Sequence, residues 1–416
     1  MSEIQISPEM TVLEVTDKYP ATIQALVDSG FPKMKDAAAR KVQGKALTLK
    51  AAASLRKMDA SKLVDKLTAA ALADVAPVAD VTLAQKEELE LRPEGDIRLS
   101  GLLPCPVRIP LLEAVAALAQ RYRDEQGKTL GYSLQAASVG MDGLASQLAA
   151  VKGPDDLPEV FVSAGFESFF DHGSINQFKN EGVFTDVAPA GQNAAFGDLK
   201  LRDPDGHFTM LGVVPAVFLV NGPALGDLPE PRSWEDLLKP IYEKRVALPV
   251  GDFDLFNGLL LNMHKRFGDD GVTALGRSMV ANLHPSQTVG RFAGKAQTQP
   301  AISIVPYFFS RMTMGSKAIR VVWPEDGAVI SPIFMLVKAS TKQDASLITE
   351  MMISKEMGEI LAHRGLFPVL NPEVDNRLPQ GAGFSWLGWD YIQDNDLGEL
   401  IPRLNKLFND AVSQGE

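Results

Sequence analysis

The stretch that most constrains this chain runs from Leu211 to Leu238, LGVVPAVFLVNGPALGDLPEPRSWEDLL. Gly212 to Asn221 is a continuous apolar run rich in valine, the pattern of a strand buried on both faces of a parallel-type sheet. Asn221-Gly222-Pro223 stops it with a turn signal. Ser233 then stands where it can cap a helix whose first turn carries Glu235 and Asp236 against the positive end of the helix dipole. An α/β architecture is expected.

A second stretch, Val321 to Lys338 (VVWPEDGAVISPIFMLVK), reads as a return crossing, with Pro324, Gly327 and Pro332 punctuating two short strand-like runs. Alternating strand and helix signals of a usual domain size, about a hundred residues, lie between the two stretches. This order of apolar strand, asparagine, short loop and S-W-E-D-L-L helix resembles the extracytoplasmic solute-binding proteins of ABC importers, in the two-lobed class that includes ferric-iron, polyamine and thiamine binders. Ser354-Lys355-Glu356 and Gly365-Leu366-Phe367-Pro368-Val369 are similar to the segment with which that family closes its first lobe. The resemblance spans Asp96 to Asn376 and implies a two-lobed, type 2 periplasmic-binding-protein-like fold. Residues 96–220 and 327–416 would form lobe 1 with the C-terminal helices, and residues 221–326 lobe 2.

The 416 residues, 45% of them hydrophobic, suffice for two to three packed domains. A net charge of −11 argues against nucleic acid, because phosphate binding needs a basic face. The single cysteine excludes an intramolecular disulfide. MSEIQISPEM carries two acidic residues and no lysine or arginine, and no apolar core follows, so no secretory signal peptide is read there and a cytoplasmic location is expected. No run reaches the length of a membrane span, so no membrane insertion is expected.

The chain begins with a separate helical module, residues 1–73. Thr11 and Glu14 form a T-x-x-E capping box ahead of Val12, Val15 and Tyr19. Pro20 restarts the chain into a helix with Ile23, Leu26 and Val27 on its apolar stripe, and Gly30 ends it. Thr48 can cap a third helix, and Asp59 or Ser61 a fourth through Leu63 and Leu67. T-V-L-E-V, then Y-P, then S-G-F is similar to a small helical domain of unknown function found at the front of di-iron repair and redox-associated proteins. Members of that family carry a cysteine pair after the Gly-Phe, whereas PKMKDAAARK follows here. Eleven basic against eight acidic side chains give the module a local charge of +3, which reads as solvated helix faces or as a patch for a protein partner. Residues 74–95 read as a linker.

From Asp96 the signals run strand (97–100), proline-rich loop, helix, strand (131–138), helix (143–151), strand (159–163), a βαβαβ pattern that forms a parallel sheet with right-handed crossovers. In such sheets ligands lie beyond the carboxyl ends of the strands, at helix N-termini. That rule selects Ser100, Cys105 and Arg108 after the first strand, Ser138 after the second, and Ser163, Ala164 and Gly165 after the third. In the second lobe it selects Asp252, Asp254 and Asn257 after a strand over 246–250, and Tyr307 after one over 301–305. Ser163 to Gly165 equally suit a helix cap, Arg108 a surface ion pair, and Asp252 and Asp254 caps or partners of a cationic ligand.

The ferric-binding members of the family coordinate iron through two adjacent tyrosines at such a strand end. Here the pair is Tyr307-Phe308, and phenylalanine offers a metal no lone pair. The five histidines, at 172, 207, 264, 284 and 363, show no ligand spacing, so no metal or other cofactor is expected. No nucleotide, hydrolase or cysteine-cluster motif is present. The expected function is non-enzymatic binding of a small polar solute in the interlobe cleft. Two alternatives stay open: a cysteine-dependent enzyme on this scaffold, with Cys105 as nucleophile and Glu167 as base in the manner of thiaminase-like enzymes, and a ligand sensor that signals through residues 1–73. Phe384, Trp386, Trp389 and Tyr391 read as packing, and Leu397 to Phe408 as an amphipathic terminal helix.

Overall fold

The computed structural model describes residues 6–19, 22–27, 29–36, 39–56, 58–60, 62–64, 66–68, 94–103, 107–136, 151–166, 169–171, 178–179, 181–250, 253–282, 300–313, 316 and 318–414. The chain divides into two compact units, Met1–Val78 and Ala79–Glu416.

The first unit is helical. Thr11 caps the helix Val12–Lys18 through a full capping box: the Glu14 N–H donates to Thr11 Oγ1 at 3.2 Å, and the Thr11 N–H donates to Glu14 Oε2 at 2.7 Å. Thr48 caps Leu49–Leu55 by its side chain alone, its hydroxyl accepting from the Ala51 N–H. After the helix Thr22–Val27, Gly30 takes a left-handed φ of +92° that a side chain would resist. Val12, Val15, Leu26, Leu49, Leu63 and Leu67 fill a small core.

The second unit is built on strands β1 (Ile97–Leu103), β2 (Leu130–Ala136), β3 (Val160–Ala164), β4 (Phe208–Asn221), β5 (Val246–Leu248), β6 (Met279–Asn282), β7 (Ile302–Pro306), β8 (Ile319–Val322), β9 (Ala328–Val337) and β10 (Phe384–Ser385). They follow the order β2-β1-β3-β9-β4-β7-β5-β6, with β8 also on β4 and β10 on β9. β1 lies parallel to β2 and β3, as the βαβαβ pattern predicts, and the helix Arg108–Arg121 follows β1. The helix expected over 143–151 lies outside the described residues save for its last position.

β4 makes the crossing. Residues 208–215 pair antiparallel with β9, whereas residues 216–221 pair with β7 and β8. The change of partner falls between Pro215 and Ala216, beside Pro306 at the end of β7 and near Pro332 in β9. Proline contributes no N–H to a ladder, and three prolines gather where β4 exchanges one partner for another within a continuous run of paired strands. Every residue of β4 up to Val220 and every residue of β9 is buried, as an all-apolar strand requires. One expectation needs correction: the return crossing is β9 alone. β8 stays with the second sheet, because Ile319 to Val322 complete the free edge of β4 from Phe218 to Asn221.

Against the sheets packs the helix Phe253–Ser278, broken at Gly268, and on it the terminal helix Leu397–Gln414. Phe256 meets Phe408 edge-on at 5.1 Å. Gly276 permits the approach, since a Cβ there would lie 2.7 Å from the Phe408 carbonyl oxygen. Within the aromatic segment after Gly383, Trp389 serves packing: it is buried, donates from Nε1 to the Leu201 carbonyl at 3.0 Å and lies 5.6 Å from Phe208.

Candidate functional site

Strand register locates the site. β3 runs antiparallel to β9, and its last residue, Ala164, lies opposite Ile333. β7 runs antiparallel to β4, and its last residue, Pro306, lies opposite Ala216. Since Ile333 faces Gly212, the carboxyl ends of the parallel strands in both lobes converge on one short stretch of β4, from Gly212 to Ala216. Both lobes thus present strand ends to the crossing, the place where α/β sheets bind ligands.

Gly165 leaves β3 there with φ +89°, and its N–H is already used, donating to the Pro332 carbonyl at 2.9 Å. Ser163 and Ala164 are buried ladder residues within β3. Phe166 stacks on Trp386 with ring centroids 5.8 Å apart and touches Phe170 at 5.5 Å. Beside it, Ser331 of β9 is fully buried, and its Oγ lies where a Cβ on Gly258 would approach within 2.4 Å. Among the described residues neither Ser331 Oγ nor Trp386 Nε1 has a hydrogen-bond partner. An unmet buried hydroxyl and an unmet indole N–H are costly. Both flank Phe166, at the end of β3.

On the other lobe Tyr307 follows β7, half-buried, its ring edge-on to Trp323 at 5.0 Å. Loss of solvent holds its hydroxyl above the ordinary tyrosine range, and the nearby Arg311 guanidinium pulls it part of the way back. Arg311, itself depressed by burial, reaches across to the first lobe and donates to the carbonyls of His363 and Arg364 at the end of the turn Ile360–Arg364. Phe308 meets Phe367 there at 5.8 Å.

The remaining expected site residues fall as follows. Ser100 is not a strand-end residue: β1 continues to Leu103, and Ser100 sits mid-strand between Ser133 and Phe161, because the strand runs on through Gly101 to Leu103. Arg108 is not in a loop but opens the helix Arg108–Arg121. Asn257, buried in the helix Phe253–Ser278, accepts from Asn405 Nδ2 of the terminal helix at 3.3 Å. Asp254 is in the first turn of that helix. Cys105, Ser138, Glu167 and Asp252 lie outside the described residues. Sequence reasoning missed Arg311, Trp323, Ser331 and Trp386. Ser331 had a signal, a lone hydroxyl inside an apolar run and just before a proline. Among the described residues no cluster of three or more His, Cys, Asp or Glu is placed to hold a metal, and no helix is long and apolar enough to cross a membrane.

Comparison with known proteins agrees with this architecture. Three solved structures illustrate it. A ferric binding protein from Campylobacter jejuni is 16% identical, with a TM-score of 0.51 over 76% of this chain and 99% of that one. A Trichodesmium protein (IdiA, FutA) solved in complex with iron and citrate is 14% identical, with a TM-score of 0.52 over 76% and 98%. An ABC transporter structure from Clostridium perfringens is 15% identical, with a TM-score of 0.52 over 75% and 100%. At such identities the likeness is one of fold, a two-lobed periplasmic-binding-protein-like fold. No curated protein sequence matches the chain. Residues 6–64 match a domain of unknown function, and residues 155–395 match the profile described as bacterial extracellular solute-binding protein. With more than half of its length under that profile, the chain belongs to the bacterial extracellular solute-binding protein family.

Proposed function

We propose that the second unit binds a small polar solute, without chemical turnover, between its lobes at the β4–β9 crossing, and that bound solute favours the closed arrangement of the lobes through contacts it makes to both. The observation that carries this reading is the register: the end of β3, one strand away across β9, lies level with Gly212 of β4, and the end of β7 lies opposite Ala216, four residues on. Ser331, Trp386 and Tyr307 supply polar groups set in apolar walls, the composition of a small-molecule site.

An organic solute is favoured over a ferric ion. Tyr307 offers one phenolate, and the next side chain, Phe308, packs on Phe309 and Phe367 instead of offering a second. Native mass spectrometry of the full chain as purified, with metal analysis of the released material, tests the proposal. A small organic mass lost on denaturation and weakened by Tyr307→Ala is expected. Stoichiometric iron would sink the organic reading, and an empty chain that gives no heat of binding with amino acids, polyamines or sugars would sink the proposal.

A further inference from the structure

A cavity lies in the first lobe, lined on one side by Met210 and Leu211 of β4. At Leu211 the register of β4 against β9 slips by one residue between Met210 and Gly212. The bulge turns this edge of β4 toward the segment 368–371: the Val213 N–H donates to the Pro368 carbonyl at 2.9 Å and the Leu370 N–H to the Leu211 carbonyl at 3.0 Å. Between this edge, the end of the helix Ser346–Ile353 and the loop after Ala188, a space of about 240 Å³ stays open. Its floor is made by Met210, Leu211, Met352, Leu361 and Val369, all buried.

The polar side chains around it are already committed to the protein. Gln192 donates to the Leu199 carbonyl and accepts from the Leu201 N–H. Asn371 donates to the Ile353 carbonyl and accepts from the Glu373 N–H. The Ser354 hydroxyl accepts from the Met357 N–H while donating to the Met351 carbonyl. Arg202 pairs with Asp186 at 2.9 Å and donates to the Ala188 carbonyl, so its charge is met in place. Nothing in the rim asks for a charged partner. A benzene-sized molecule fits an apolar cavity of roughly 150 Å³; this space is larger, and it opens to solvent along a rim where Pro189, Gly191 and Arg202 are exposed.

We propose that this cavity is a second binding site, for an uncharged, mostly apolar molecule of one ring with a short substituent or fused ring. Its lining differs from that of the proposed solute site: it includes none of Gly212 to Ala216, Tyr307, Ser331 or Trp386, and no strand end of the second lobe reaches it. Its occupant wedges between the β4 bulge and the helix Ser346–Ile353, covering the apolar floor that solvent otherwise reaches from the rim.

Methionine methyl NMR on the full chain reads the site directly, because two of its fourteen methionines, Met210 and Met352, form the floor. Titration with indole as the probe is expected to shift those two resonances saturably and leave most of the other methionines unmoved. Ala188→Phe, which adds a ring to the lining, is expected to abolish the shifts while circular dichroism stays unchanged; Ala188→Leu serves the same purpose should the larger side chain unfold the protein. Absence of saturable shifts in the native chain would overturn the proposal. So would equal shifts in both filled variants, or saturation by hexanoate with no response to indole.

Discussion

The crossing strands and the contacts around Arg311 sit side by side near the strand ends, but the strands are buried along almost their whole length while the contacts there lean on one guanidinium and the Phe308–Phe367 pair. β4 and β9 are held by ladders on both sides, by Trp234 packed edge-on to Phe218 at 4.8 Å, and by its Nε1 donating to the Gly327 carbonyl just before β9 begins. Arg311 donates to two carbonyls at a helix end that water could serve as well. The difference teaches where rigidity and freedom lie. The strands are the buried, ladder-held link between the lobes, whereas the contacts around Arg311 are the kind that water can replace at little cost.

The largest effect should come from the crossing. Trp234→Ala empties a fully buried site against Phe218 of β4 and the Gly327 carbonyl that precedes β9; by the usual cost of deleting a buried aromatic it should remove about 3–5 kcal/mol of stability, read by chemical denaturation. A loss below about 1 kcal/mol would show that the crossing is not held where the packing places it.

Arg311→Ala should cost less, about 1 kcal/mol, because the freed carbonyls can turn to water. Its stronger readout is shape: the radius of gyration by X-ray scattering should rise as the lobes part, with Arg311→Lys in between. Unchanged scattering together with unchanged stability would break the comparison, leaving Arg311 with no part in joining the lobes.

The smallest effect is a pH dependence remote from the crossing. His264 is pushed below its ordinary value of 6.5, first by loss of solvent and next by the Arg403 guanidinium, with Asp269 opposing. Arg403 donates to Nε2 at 3.0 Å, so Nδ1 carries the proton toward the Tyr391 hydroxyl at 2.6 Å. The unfolded chain therefore binds more protons than the folded one below the ordinary value. The stabilisation is present above that value and is lost as pH falls through it. His264→Gln should flatten the stability profile between about pH 8 and about pH 5, and an unaltered slope would remove His264 from the account.

Much of the local structure was legible in the chain because the deciding groups are neighbours in sequence. Thr11 with Glu14, Thr48 with Ala51 and Ser233 with Asp236 are hydrogen bonds closed across three residues. The valine-rich run of β4 declared its own burial on both faces, since no polar residue offered it a wet side. The site was less legible. The strand-end rule pointed to the crossing, and Gly165 and Tyr307 do flank it, but Ser100 lies inside a strand that continues three residues further. Nothing near Asn257 in sequence announces Asn405, 148 residues away.

By itself the sequence determined the caps, the two buried crossing strands and the parallel βαβ start, all of which follow from periodicity and short-range chemistry. Only the tertiary structure decided that β8 pairs along β4 from Phe218 to Asn221, that β4 changes partners at Pro215, and that a bulge at Leu211 lies beside a cavity lined by residues 369–371. These are pairings between segments far apart in the chain. Strand propensity is the same whichever edge a strand meets, so its partner is settled by which edge remains unpaired once the rest of the core has packed.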